Sequence, residues 1–297
     1  MIHMKKRYFN LNIEDPLFQL LSSKPLWWRE VIEDEELYCN IRKDNRINVY
    51  YRGASIMSIQ FKEGKAVADI HNYYLGFEKK LSEELNIKYG IVKLRPEEIV
   101  CRIPSIKRRV EANKKNIACL EGEEINGNNY SSEKFIQSQM YIQDKSYIDT
   151  EFALRLDDGT DIRIDLVKLS EAGEICFEEL KLIDDSRLKP SRGKPAEILT
   201  QMDSYDRFLK EAARLKGIKA EPIIVEYYTK VLKIMDNIGV LRTNLKPKSV
   251  RDYVSLYIKQ TYTKKHAKRD KAIQIIHEVC KGLNSNIDEV ISEYNRI

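Results

Sequence analysis

The sequence is poor in the residues that mark redox or zinc chemistry. Its five cysteines, Cys39, Cys101, Cys119, Cys176 and Cys280, are scattered, odd in number and form no CxxC pair. Disulfide scaffolds are dense and usually even, so reduced thiols in a cytoplasmic protein are expected. The four histidines, His3, His71, His266 and His277, show no HxxxH or HExxH spacing, which leaves a zinc enzyme without support. No apolar stretch approaches the roughly 18 residues of a membrane span. No apolar run suited to a secretory signal follows the opening MIHMKKR. A GxxxxGK[ST] phosphate loop and an RRM-type aromatic motif are both missing, as are internal repeats and low-complexity segments.

What is present is a charged, core-forming chain. Of 297 residues, 42% are hydrophobic, enough for a packed core, and 33% are charged; the net charge of +5 is too small for a basic tail-like binder, so local charge matters more than the total. The length suits two domains. Residues 1–125 read as a β-rich α+β accessory domain. It would hold a helical region over 16–33 with Trp27 and Trp28, then four short runs, Leu37–Arg42, Ile47–Tyr51, Ser55–Phe61 and Ala66–His71, separated by Gly and Asn turns as in an antiparallel meander. A helical pattern with Leu75, Leu81 and Leu85 follows. Residues 102–116 form a basic, helical segment, either a solvated face or a contact to nucleic acid. Glu121–Asn129 is polar and reads as a boundary or surface loop.

Residues 126–297 carry the clearer order. Ser131 or Ser132 caps a helix running to about Gln143, with Phe135, Ile136 and Met140 inward. Strands are expected at 151–156, 161–169 and 175–183, with turns at 157–160 and 170–174. A basic loop, 187–194, leads to a helix over 196–216 with Ile198, Met202, Tyr205 and Phe208 at helical spacing, ended by Gly217. A fourth strand is expected at Pro222–Tyr228 and a helical tail beyond it, including Val250–Tyr262 and about Asp270–Leu283. The expected fold is therefore α/β, with core order α-β-β-β-α-β, a mixed sheet flanked by helices and a helical C-terminal extension.

Strand parity exposes the chemistry. Side chains alternate faces along a strand, so Asp161, Arg163, Asp165 and Val167 share one face, and Phe177, Glu179, Lys181 and Ile183 share one face of the next strand. A short turn makes the two strands antiparallel neighbours, which brings Asp165 beside Glu179 and Lys181, mid-sheet. Ile162, Ile164, Leu166, Leu180 and Leu182 make the opposite, apolar layer, and Glu178 falls on that side by parity. Two carboxylates are hard oxygen ligands suited to Mg²⁺ or Mn²⁺. Such an ion acidifies water and neutralises a phosphate, and a neighbouring lysine can orient that water or stabilise charge on phosphorus.

Asp165 followed by Glu179-Leu180-Lys181 resembles the D…(D/E)xK motif of the PD-(D/E)XK nuclease superfamily, and the expected element order is similar to that superfamily's core. Gln201 and Tyr205 resemble the QxxxY motif of its RecB-like branch, four residues apart on one helix face. The resemblance covers about 100 residues, and Ile164 stands where the family often has proline. It implies metal ligation by Asp165, Glu179 and the Leu180 carbonyl, with Glu133 as an additional carboxylate. It further implies water positioning by Lys181, and Gln201 and Tyr205 flanking the site. Lys189, Arg192 and Lys194, in the loop before the QxxxY helix, are the expected phosphate contacts. The activity implied is metal-dependent phosphodiester hydrolysis, in DNA rather than RNA, of restriction, defence or repair type, in a chain that could pair as a homodimer to cut both strands. The alternative is a non-catalytic nucleic-acid-binding or scaffolding protein on the same fold, with Asp165, Glu179 and Lys181 as a structural ion-pair cluster on a solvated sheet face.

Overall fold

A computed structural model describes residues 9, 11–77, 90–112, 123–125, 128–130, 132–155, 159, 161–191, 193–209, 220–259 and 267–285. It is mixed α/β and divides into two compact units. The first comprises Met1–Leu120, Ser138–Lys145 and Tyr227–Asn244; the second comprises Glu121–Gln137, Ser146–Glu226 and Leu245–Ile297. Among the described residues no helix is long and apolar enough to cross a membrane.

In the first unit, α1 (Pro16–Ser22) begins where Asp15 accepts a hydrogen bond from the Leu17 amide at 2.9 Å and Pro16 supplies a preset φ. Helix α2 (Leu26–Ile32) buries Trp27 and Trp28, and the Trp28 indole donates to the Ile238 carbonyl at 2.9 Å. The strands β1 (Leu37–Arg42), β2 (Arg46–Tyr51), β3 (Ala54–Lys62), β4 (Lys65–His71) and β5 (Ile91–Leu94) form one antiparallel meander in chain order. The first four match the expected runs; β5 has no counterpart in the sequence reading. Leu75 ends a 3₁₀ turn, Asn72–Leu75, whereas Leu81 and Leu85 lie outside the described residues. Helices α3 (Pro96–Val100) and α4 (Ile103–Ala112) follow, and α4 buries Ile106 and Val110 while Arg102 and Arg108 face solvent.

In the second unit, β6 (Glu123–Ile125) and β7 (Asn128–Tyr130) pair as a small antiparallel ribbon where a loop was expected. Next come α5 (Glu133–Gln143), β8 (Tyr147–Arg155), β9 (Asp161–Leu169), β10 (Glu174–Leu182), α6 (Glu197–Arg207), α7 (Ala220–Ile238), β11 (Ser249–Lys259) and α8 (Ala267–Cys280), where residues 138–143 of α5 and 227–238 of α7 belong to the first unit. Ser132 caps α5 by accepting from the Phe135 amide at 3.2 Å; Phe135 is buried, but Ile136 and Met140, expected inward, are half-buried. The sheet order is β11-β10-β9-β8, antiparallel except for the parallel pair β10–β11.

Two elements differ from the sequence expectation. Pro222–Tyr228 is not a strand but the opening of α7, where Pro222 sits in the first turn and needs no amide partner. The fourth strand is instead β11, within the segment read as helix, so the tail is not wholly helical and the order becomes α-β-β-β-α-α-β. In β11 the buried residues Val254, Leu256 and Ile258 alternate with half-exposed neighbours, which is the period of a strand.

The β9–β10 turn depends on Gly173. Its φ is +83°, and a Cβ there would meet the Lys246 carbonyl oxygen at 2.5 Å. Gly173→Ala is expected to destabilise the fold by roughly 2–4 kcal/mol, adding backbone displacement to left-handed strain. Gly193→Ala, at φ +76° with nothing within 4 Å, incurs the strain alone. Urea unfolding of the two variants checks the difference.

Candidate active site

The apolar layer forms as parity requires. Ile162, Ile164, Leu166, Leu180 and Leu182 are all buried, while Asp161 and Arg163 are exposed and Asp165 half-buried on the other face of β9. Glu178, buried with that layer, accepts from the Tyr147 hydroxyl at 2.7 Å.

β9 and β10 pair from Leu169–Ile175 to Leu166–Glu178 and then part. At that point the Asp165 side chain takes over a backbone partner: its Oδ2 accepts from the Leu180 amide at 2.9 Å. On the other side of β9, the β8 ladder skips Glu151, whose φ of +56° is left-handed and costs about 1–2 kcal/mol in a non-glycine residue. Glu151 pairs with Lys134, and the Asp165 carbonyl accepts from the Gln137 amide of α5 at 2.5 Å. Asp165 is thus fixed from its backbone as well as its carboxylate.

Lys181 is 1% exposed, and its ammonium is surrounded by oxygens. It donates to Glu179 Oε1 and to the Leu180 carbonyl at 2.7 Å, and lies 3.6 Å from Asp165 Oδ2. Glu179 is held from α6: Gln201 Nε2 donates to Oε1 at 2.7 Å, and the Tyr205 hydroxyl lies 3.2 Å from Oε2. Gln201 also donates to the Tyr205 hydroxyl at 2.7 Å, and Tyr205 donates to the Arg163 carbonyl. The i, i+4 spacing of Gln201 and Tyr205 puts both on the helix face toward β9 and β10.

Electrostatics follow from this burial. Desolvation, then the Asp165 charge, push the Glu179 carboxyl up to about 8, against the pull of Lys181. Burial works against the Lys181 ammonium, yet Glu179, Asp165 and Glu133 outweigh it and raise its pKa. Both shifts mean that the pair holds its protons more tightly than in water. Burial raises the half-buried Glu133 carboxyl as well, with Lys181 opposing. The Tyr205 phenol is raised by burial and by Glu179, so it remains a donor. Tyr205→Phe removes the buried hydroxyl that donates to the Arg163 carbonyl and accepts from Gln201, and is expected to cost roughly 1–3 kcal/mol, read by thermal or urea unfolding.

A cavity of about 350 Å³ opens on the cluster, walled by Glu133, Asp161, Arg163, Asp165, Glu179, Lys181, Arg187, Gln201, Ser204 and Tyr205. The structure therefore brings together Glu133, Asp165, Glu179, Lys181, Gln201 and Tyr205. Lys189 and Lys194 stand outside the cavity wall, and Arg192 lies outside the described residues. The sequence reading missed Arg187 as a wall residue and Gln137 as a support of Asp165. Arg187 was legible only as one charge in a basic loop, and Gln137 only as a polar residue on α5.

Among the described residues no group of three or more His, Cys, Asp or Glu side chains is arranged to hold a metal ion. What converges is two carboxylates and one main-chain carbonyl, all hard oxygens facing the Lys181 ammonium. That donor chemistry fits Mg²⁺ or Mn²⁺, which take few protein carboxylates and keep several waters. Compared with known proteins, the chain matches no family model, no curated protein and no solved structure.

Proposed function

We propose that this cluster is the centre of a divalent-metal-dependent nuclease of the PD-(D/E)XK kind, acting on nucleic-acid phosphodiesters with DNA as the expected substrate. The observation that carries the reading is the convergence of Glu179 Oε1, the Leu180 carbonyl and Asp165 Oδ2 on one buried cation, with Gln201 and Tyr205 behind Glu179. A three-stranded antiparallel run joined by a parallel strand after intervening helices supports the same reading.

Asp165, Glu179 and the Leu180 carbonyl would hold the ion, with Glu133, on the same cavity wall, adding a carboxylate through water. When bound, Mg²⁺ or Mn²⁺ would polarise the phosphate and acidify a water. Lys181 would donate hydrogen bonds to the attacking water or to a phosphoryl oxygen as charge builds there. Gln201 and Tyr205 fix the carboxylate that the lysine also touches, so their role is to keep that geometry rigid. Lys189 and Lys194 would meet more distant phosphates.

The test is incubation of the full chain with plasmid and linear DNA in Mg²⁺ or Mn²⁺, with and without chelator. Cleavage that requires the ion is expected. Cleavage undiminished by chelator, or none with either ion, contradicts the proposal.

A further inference from the structure

The cavity wall carries two guanidinium groups that metal binding and water positioning leave unused. Arg163, on β9 two residues before Asp165, is exposed, and its side chain has no hydrogen-bond or ion-pair partner among the described residues. Its main chain is fixed, because its carbonyl accepts from Tyr205. Arg187 is the opposite case. Its Nε donates to Asp185 at 3.0 and 3.1 Å and its Nη2 at 2.5 Å, a fork that fixes the guanidinium plane while Nη1 is not used by Asp185. Those bonds raise its pKa further, so it is a permanent charge, and it feels Glu133 and Glu179 across the cavity.

The charge balance gives these groups a task. Glu133, Asp161, Asp165 and Glu179, with Asp185 bound to Arg187, face Arg163, Lys181 and Arg187, a formal charge of 3 − 5 = −2 that a divalent ion brings to 0. The ion thus removes the net repulsion of a phosphate. Guanidinium is suited to phosphate because its donors match two oxygens at once.

We infer that Arg163 and Arg187 form a phosphate-binding subsite beside the metal centre, engaging non-bridging oxygens of the nucleic-acid backbone, with Asp185 a positioning residue for Arg187. This rests on the nuclease reading above. Substrate and divalent ion then bind cooperatively, since each improves the affinity for the other by the same factor.

The test follows the anisotropy of a fluorescein-labelled DNA duplex on the full chain across a salt series, with Ca²⁺ in place of Mg²⁺ and with chelator, alongside steady-state cleavage in Mg²⁺. Arg163→Ala is expected to weaken duplex binding about 10- to 100-fold. It should lower the salt slope by about one phosphate contact and raise KM, with an unchanged melting temperature. Arg163→Lys should restore the salt slope and part of the affinity. Asp185→Asn should raise KM while leaving Arg163→Lys behaviour unaltered, and chelator should weaken binding by the wild type. Wild-type cleavage with unaltered KM and salt slope in both Arg163→Ala and Arg187→Ala overturns the subsite and leaves the nuclease reading standing. A wild type that neither binds nor cleaves DNA overturns both.

Discussion

Lys181→Met is expected to lower DNA cleavage by about 100- to 1,000-fold at saturating Mg²⁺, the effect of deleting one preorganised donor aimed at developing charge. Its effect on the metal-free protein is as large. The ammonium is the counter-charge for a glutamate that is 2% exposed and has Asp165 nearby. Removing one partner of a buried pair typically costs about 3–5 kcal/mol, because the other charge is left without compensation. Lys181→Met should therefore melt well below wild type in chelator at pH 9, where Glu179 is ionised, and regain much of the difference when Mn²⁺ is added, since the ion takes over the neutralising role. Thermal melts with and without Mn²⁺, together with kcat, separate the two effects. A variant that melts like wild type in chelator would mean that the ammonium is not the cluster's counter-charge.

Glu179→Gln has the opposite signature. The carboxyl binds its proton more tightly folded, at about 8, than at the ordinary value of 4.5. An acid shifted upward stabilises the fold while protonated, so its contribution is full below 4.5 and is lost as pH rises toward 8. Metal-free wild type should thus lose stability across that window, by an amount on the order of a few kcal/mol. Glu179→Gln keeps the shape and can still accept from Gln201 or Tyr205, but carries no ionisable group. It should melt at or above wild type at pH 8 in chelator, with most of the pH slope gone, while metal-dependent cleavage is abolished. Urea denaturation from pH 5 to 9 reads this; an unchanged pH slope in the variant would refute the assignment of that slope to Glu179.

Much of the site was legible because parity is a strict rule. Asp161–Leu169 alternates apolar and charged residues, and Gly173 forces a tight return, so the meeting of Asp165 with Glu179 and Lys181 needed only strand geometry. The finer arrangement was not legible. That Asp165 would accept from the Leu180 amide depends on the two strands parting after Glu178, which no residue pattern announces. Arg187 entered the cavity because Asp185, two residues earlier, captures it through a 3₁₀ turn.

The misread elements have a common cause. Ile223, Ile224 and Val225 between Pro222 and Tyr228 look like a short β run, but the buried positions extend through Tyr228, Val231, Leu232, Met235 and Ile238 at helical spacing. Conversely, Val250, Val254, Tyr257 and Ile258 also fit a helical period, and only the burial of Val254, Leu256 and Ile258 beside β10 makes β11 a strand. Short apolar runs satisfy both periods, and long-range pairing decides between them.

The most direct test of the central claim is calorimetric titration of Mn²⁺ into wild type and Asp165→Asn at matched pH. Asn keeps an acceptor for the Leu180 amide, so the fold is preserved while one ligand charge is removed. Saturable Mn²⁺ binding is expected for wild type and none for Asp165→Asn, at an unchanged or higher melting temperature. Equal binding by both proteins, or no binding by the wild type, would contradict it.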